Sequence, residues 1–135
     1  MRFDELHLGQ QAAVSKVIEE ADIDAFAALT GDSNPVHLDE AFAATTRFGG
    51  RIAHGMLSAG LFSTVLGMKL PGTGAIYLGQ TLRFTAPVRP GDTVTATAEV
   101  VELVPEKRRV RLRTTATNQR GETVIDGEAQ MLLLS

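Results

Sequence analysis

Between Thr93 and Val104 every second residue is apolar at first, with Val94, Ala96, Ala98 and Val100 on one face of a strand. The phase then slips to Val101 and Leu103, which predicts a β-bulge near Val100-Val101. Pro105-Glu106-Lys107 turns the chain into a strand over Arg108–Thr117, with Val110, Leu112 and Ala116 inward and Arg109, Arg111 and Arg113 outward. After a turn at Asn118–Gly121, Ile125, Gly127, Ala129, Met131 and Leu133 alternate with Asp126, Glu128 and Gln130 in a last strand. Earlier, Gln11–Glu19 predicts a first strand and Ala75–Val88 one long strand that ends at the Arg89-Pro90-Gly91-Asp92 turn.

The helical signals come before the strands. Asp22–Thr30 places Ile23, Phe26, Ala27 and Thr30 on one face, with Asp22 as cap and Gly31 as stop. A second short helix is expected over Asp39–Phe48, ended by Gly49-Gly50. The segment His54–Met68 differs: it has no charged residue, and apolar or small side chains lie all round it. Such a helix is wrapped by other structure on most sides, and it is too short to span a bilayer. A buried helix followed by an antiparallel meander is an α+β arrangement, in which one copy leaves sheet edges for a second copy to pair with.

Composition narrows the chemistry. The 135 residues suit one domain, with no repeat or linker. There is no Cys, which excludes thiol nucleophiles, disulfides and thiolate metal sites, and only three His, which limits any other metal site. A net charge of −3 argues against nucleic acid as the main partner. The first residues mix acids into the chain and lack an apolar signal core, so a cytoplasmic protein with no membrane segment is expected.

One window carries chemistry: Thr30-Gly31-Asp32-Ser33-Asn34-Pro35-Val36-His37-Leu38. It is expected to be a loop between two helices, constrained by Gly31 and Pro35. Asp32 and His37, five residues apart on it, can meet around one water, and a carboxylate with an imidazole can move protons to and from water and carbon. Taken singly, each residue is equally at home in a cap or turn. The combined string Asp-x-Asn-Pro-x-His arises by chance in roughly one chain in a thousand of this size.

The window, together with Ile52-Ala53-His54-Gly55-Met56-Leu57, Leu70-Pro71-Gly72 and Ile76-Tyr77-Leu78-Gly79-Gln80, resembles the MaoC-like (R)-specific enoyl-CoA hydratases. In its short form it is similar to the enzymes that feed polyhydroxyalkanoate synthesis. The resemblance implies a hotdog fold, a central helix wrapped by an antiparallel sheet, and a homodimer joined edge to edge. It implies an acyl-CoA thioester as substrate and no cofactor, with hydration of a trans-2-enoyl-CoA to the (3R)-hydroxyacyl-CoA. Asp32 and His37 would form the dyad, Asn34 would orient it, and Ser63 would lie close by. Such an addition places charge on the thioester oxygen, and the first N–H groups of the apolar helix can meet it, with Gly55 as the candidate donor. A glycine needed only for packing would look the same. Leu66 and Met131 are candidates for the floor of an acyl pocket, as any core residue would be. His54 is expected to make a structural hydrogen bond, and the Arg109, Arg111 and Arg113 row to be a solvated face. The competing functions are dehydration of a (3R)-hydroxyacyl carrier protein, a hotdog thioesterase, disfavoured because His54–Met68 holds no acid, and a non-catalytic acyl-CoA-binding protein.

Overall fold

The computed structural model describes residues 1–135. Strand β1 (Gln11–Val17) leads into α1 (Glu20–Thr30), and two single-turn helices follow, α2 (Pro35–Leu38) and α3 (Glu40–Ala43). The central helix α4 (Gly55–Met68) is succeeded by β2 (Ala75–Gln80), β3 (Arg83–Phe84), β4 (Thr93–Val104), β5 (Arg109–Thr117) and β6 (Thr123–Leu133). The antiparallel sheet runs β1-β4-β5-β6-β2, with β3 also on β6, so β1 and β2 are its edges. It curls around α4 in the hotdog arrangement. Phe62, Val65 and Leu66 of α4 are buried against Val94, Ala96, Ala98 and Val100 of β4 and Val110 and Leu112 of β5. The inward set of β4 is the alternating one, and its register shifts between Val100 and Glu102, where the bulge was expected.

Four expectations need correction. The cap of α1 is Glu19 rather than Asp22; Asp22 Oδ2 instead accepts the Glu19 N–H at 2.9 Å, closing a capping box. The second helix is α3 alone, since Thr45 and Thr46 hydroxyls donate to the carbonyls of Phe42 and Ala43 and the chain turns towards Gly49. Part of the expected loop winds into α2 because Asn34 Oδ1 accepts the Val36 N–H at 3.2 Å with Pro35 at the first helical position. The long strand breaks at Thr81 and Leu82, since Thr81 crosses β6 directly over Gly127. A methyl at Gly127 would meet the Thr81 carbonyl oxygen at 1.9 Å, so only glycine admits this crossing.

One more difference concerns α4. Its inner face is buried as expected, but Met56, Gly60, Ser63, Thr64 and Gly67 form an exposed stripe. On the edge strand β2, Ile76, Tyr77 and Leu78 are also substantially exposed. No helix is long and apolar enough to cross a membrane.

Candidate active site

The site is assembled by hydrogen bonds that begin where α1 ends. Gly31 takes the left-handed conformation (φ 82°), which releases the chain from the helix. Thr30 Oγ1 accepts the Asp32 N–H at 3.2 Å, and Asp32 Oδ1 accepts the Asn34 N–H at 3.2 Å. Asn34 then caps α2, which carries His37 in its only turn. Each of the three motif residues thus depends on the previous one for its place, and Asn34 caps the turn that bears the imidazole.

His37 Nδ1 bonds the Ile52 carbonyl at 2.8 Å, which leaves Nε2 free for a reacting group. Donor atoms of Asp32, His37 and His54 all lie within 4.8 Å of one another. Two hydrogen bonds of about 2.8 Å through one water span such a gap. The imidazole of His54 lies under that of His37, with ring centroids 3.9 Å apart and planes at 30°. Phe26 packs against the same His54 ring, with centroids 4.7 Å apart. His54 is 3% exposed, and its Nε2–H donates to the Asp32 carbonyl at 3.0 Å, the structural bond expected of it. The stack sets the in-plane lone pairs of the two imidazoles side by side rather than convergent. A shared cation would therefore require one ring to leave the stack, while His54 Nδ1 has no hydrogen-bond partner in the chain.

Gly55, the first residue of α4, lies against the ring of Phe84: a methyl there would meet Cδ1 and Cε1 at 2.6 Å. A cavity of about 410 Å³ opens beside it, lined on its apolar side by Ala53, Phe84, Val88 and Ile125, with Arg47 as its one Arg or Lys. His37, Gly55 and Met56 line both this cavity and the shallower pocket that holds Asp32, so the carboxylate and the apolar space are continuous. The other expected residues lie elsewhere in the single chain. Ser63 sits on the exposed stripe of α4, two turns from Gly55, while Leu66 and Met131 are fully buried in the core, and none of the three lines either space. Arg111 is held by Glu102 and Glu128 at 3.4 and 2.7 Å, which answers its charge locally on the sheet face.

Sequence reasoning missed the residue that holds the site to α1. Arg51 donates through Nε to the His37 carbonyl at 2.6 Å and reaches Glu20 and Asp24 at 3.3 and 3.0 Å, with its side chain only 10% exposed. Its partners are far apart in sequence, so no local spacing marks it. The stacking role of His54 was equally invisible, because it depends on α2 and α4 meeting.

Residues 6–124 match the MaoC like domain family. The chain belongs to it. An (R)-specific enoyl-CoA hydratase of Rhodospirillum rubrum is 56% identical over 97% of this chain and 90% of its own length. A 3-hydroxybutyryl-CoA dehydratase of Methylorubrum extorquens is 54% identical over 94% of this chain and 80% of its own. Among solved structures, an (R)-hydratase from Aeromonas caviae involved in polyhydroxyalkanoate biosynthesis superposes with a TM-score of 0.92 at 52% identity, covering 95% of this chain and 97% of that one. In this MaoC-like chain the motif residues and the start of α4 therefore sit in a full-length family context.

Proposed function

We propose that this MaoC-like protein adds water to a trans-2-enoyl-CoA to give the (3R)-hydroxyacyl-CoA, as a cytoplasmic homodimer with no cofactor beyond the coenzyme A of its substrate. The observation that carries this reading is the approach of Asp32 and His37 within 4.8 Å at the edge of an apolar cavity that begins at Gly55. A water held between the two groups loses a proton to the Asp32 carboxylate as its oxygen bonds to Cβ. The π pair of Cα=Cβ shifts to the bond between Cα and the carbonyl carbon as the carbonyl's own π pair moves onto the thioester oxygen, where the Gly55 N–H at the positive end of α4 meets it. As the carbonyl re-forms, Cα takes up a proton from the His37 imidazolium, and the proton on Asp32 restores His37. The net change is one water added. The R hand is supported by the Rhodospirillum rubrum relative, an (R)-specific enoyl-CoA hydratase, and coenzyme A as the carrier by that relative and the Methylorubrum extorquens dehydratase.

A second copy on the α4 stripe and the β2 edge would cover Met56, Ile76, Tyr77 and Leu78, and would bury Ser63 at the junction. The test is hydration of crotonyl-CoA and of a longer enoyl-CoA, with chiral analysis of the product and sedimentation of the native protein. The expected results are (3R) product and twice the 14.4 kDa chain mass. A (3S) product, or faster turnover of the matching carrier-protein thioester, refutes the reading of the substrate and its hand. A monomer with full activity refutes the dimer.

A further inference from the structure

The central helix holds a buried hydroxyl that the reaction above leaves unused. Ser58 is 1% exposed, and its Oγ has no hydrogen-bond partner in the chain. Helical serines commonly bond back to the carbonyl one turn earlier. Ser58 does not, although His54 lies one turn before it. Helical side chains lean towards the N-terminus, so the hydroxyl is directed over the turn that starts at Gly55, where the ring of Phe84 takes the place of a Cβ. Ser58, Gly55 and His37 line the same cavity, and the other buried members of its lining are Ala53, Val88, Val124 and Ile125. Ser58 is thus the single buried polar side chain on an otherwise apolar wall.

An unpaired buried hydroxyl destabilises a fold relative to an apolar group of the same shape. A ligand atom that accepts its proton removes that penalty, and the acceptor that must enter this cavity is the thioester oxygen. We propose that Ser58 Oγ–H is a second donor to that oxygen, acting with the Gly55 N–H on the same helix face. This rests on the hydratase reading. No bond of Ser58 breaks: its proton stays on Oγ while the carbonyl's π pair resides on the thioester oxygen of the enolate, and the hydrogen bond relaxes when the carbonyl re-forms and Cα is protonated. The contact strengthens as charge develops, so it acts on turnover more than on ground-state binding.

The test compares wild type, Ser58→Ala and Ser58→Cys for kcat and KM on crotonyl-CoA, for melting temperature, and for the infrared thioester carbonyl band of bound butyryl-CoA. Ser58→Ala is expected to lower kcat by roughly 10²-fold, as loss of one oxyanion donor does, with little change in KM and a raised melting temperature. Its carbonyl band moves back towards the solution position. Ser58→Cys, a weaker donor of similar shape, falls between the two. An alanine variant with wild-type kcat and an unmoved band overturns the assignment, as does one that loses kcat only in step with a lowered melting temperature. A wild type that binds butyryl-CoA but hydrates no enoyl-CoA overturns the hydratase reading instead, and the carbonyl band then decides the Ser58 contact separately.

Discussion

Arg51→Met severs the tie between the turn that bears His37 and α1, and its effect can be worked from the contacts. The guanidinium loses its bond to the His37 carbonyl (2.6 Å), and a hydrogen bond from a charged, mostly buried donor is worth about 1.5–3 kcal/mol. Glu20 and Asp24 are 67% and 62% exposed, so each ion pair adds roughly 0–1 kcal/mol after solvent screening. The sum is about 1.5–5 kcal/mol, a large share of an ordinary domain's stability. The methionine keeps the stem's packing, so the loss reports the polar contacts rather than a cavity. Urea unfolding at fixed protein concentration reads the first effect. Turnover reads the second: with the α2 carbonyl released, His37 shifts relative to Asp32, and misplacement of about 1 Å costs on the order of 10²-fold in rate. Arg51→Lys keeps the charge but not the planar fork and is expected to recover part of the stability and less of the rate. A methionine variant within about 0.5 kcal/mol of wild type and with unchanged kcat would refute both steps, since that is the range of an inconsequential surface change.

Asp32→Asn and His37→Gln are each expected to lower kcat by roughly 10²–10⁴-fold with unchanged circular dichroism; near-wild-type turnover in either removes that residue from the dyad. Asp92 supplies a pH prediction. Burial works to raise its pKa, but the Arg89 N–H (2.9 Å), Gln119 Nε2–H (2.8 Å), Arg120 and Arg89 outweigh burial and hold it below the usual carboxylate value. A folded pKa below the unfolded one, about 3.9, gives stability that is present above that value and lost as pH falls through the folded pKa. Asp92→Asn is therefore less stable than wild type near neutrality, with the gap closing below about pH 4 in urea titrations; a gap that stays constant into stronger acid counts against the assignment.

What could be read from the chain divides by the range of the interaction. Alternation in β4, β5 and β6 is written residue by residue, and even the bulge after Val100 shows as a change of phase. The dyad window was legible because Asp32, Asn34 and His37 are joined by bonds that span two or three residues. The break at Thr81 was not, because its cause is Gly127 on another strand, and an isolated glycine in a strand does not reveal what crosses it. Arg51, the stacking of His54 and the unpartnered Ser58 hydroxyl were not legible for the same reason, each taking its meaning from elements distant in sequence. The acyl-floor residues Leu66 and Met131 have a pattern that any core position shares, and in one chain the core is where they lie.

The absence of charge along α4 has two physical sources that act on different faces. At its N-terminal end, an acid near Gly55 would repel the charge that develops on a thioester oxygen, in a space dry enough for the repulsion to be strong. Further along, Gly60, Ser63, Thr64 and Gly67 present small uncharged side chains on a face that one copy leaves open. A Lys or Glu there would suit a solvated surface better, at no cost to the inner face. Small residues instead suit close approach of a second copy, where an unpaired charge would be stripped of water. On the proposed reading, the same uncharged sequence serves the reaction at one end and assembly along the outside. Charges introduced on the outer stripe and near Gly55 should separate the two: the former releases monomers, and the latter depresses turnover while the dimer persists.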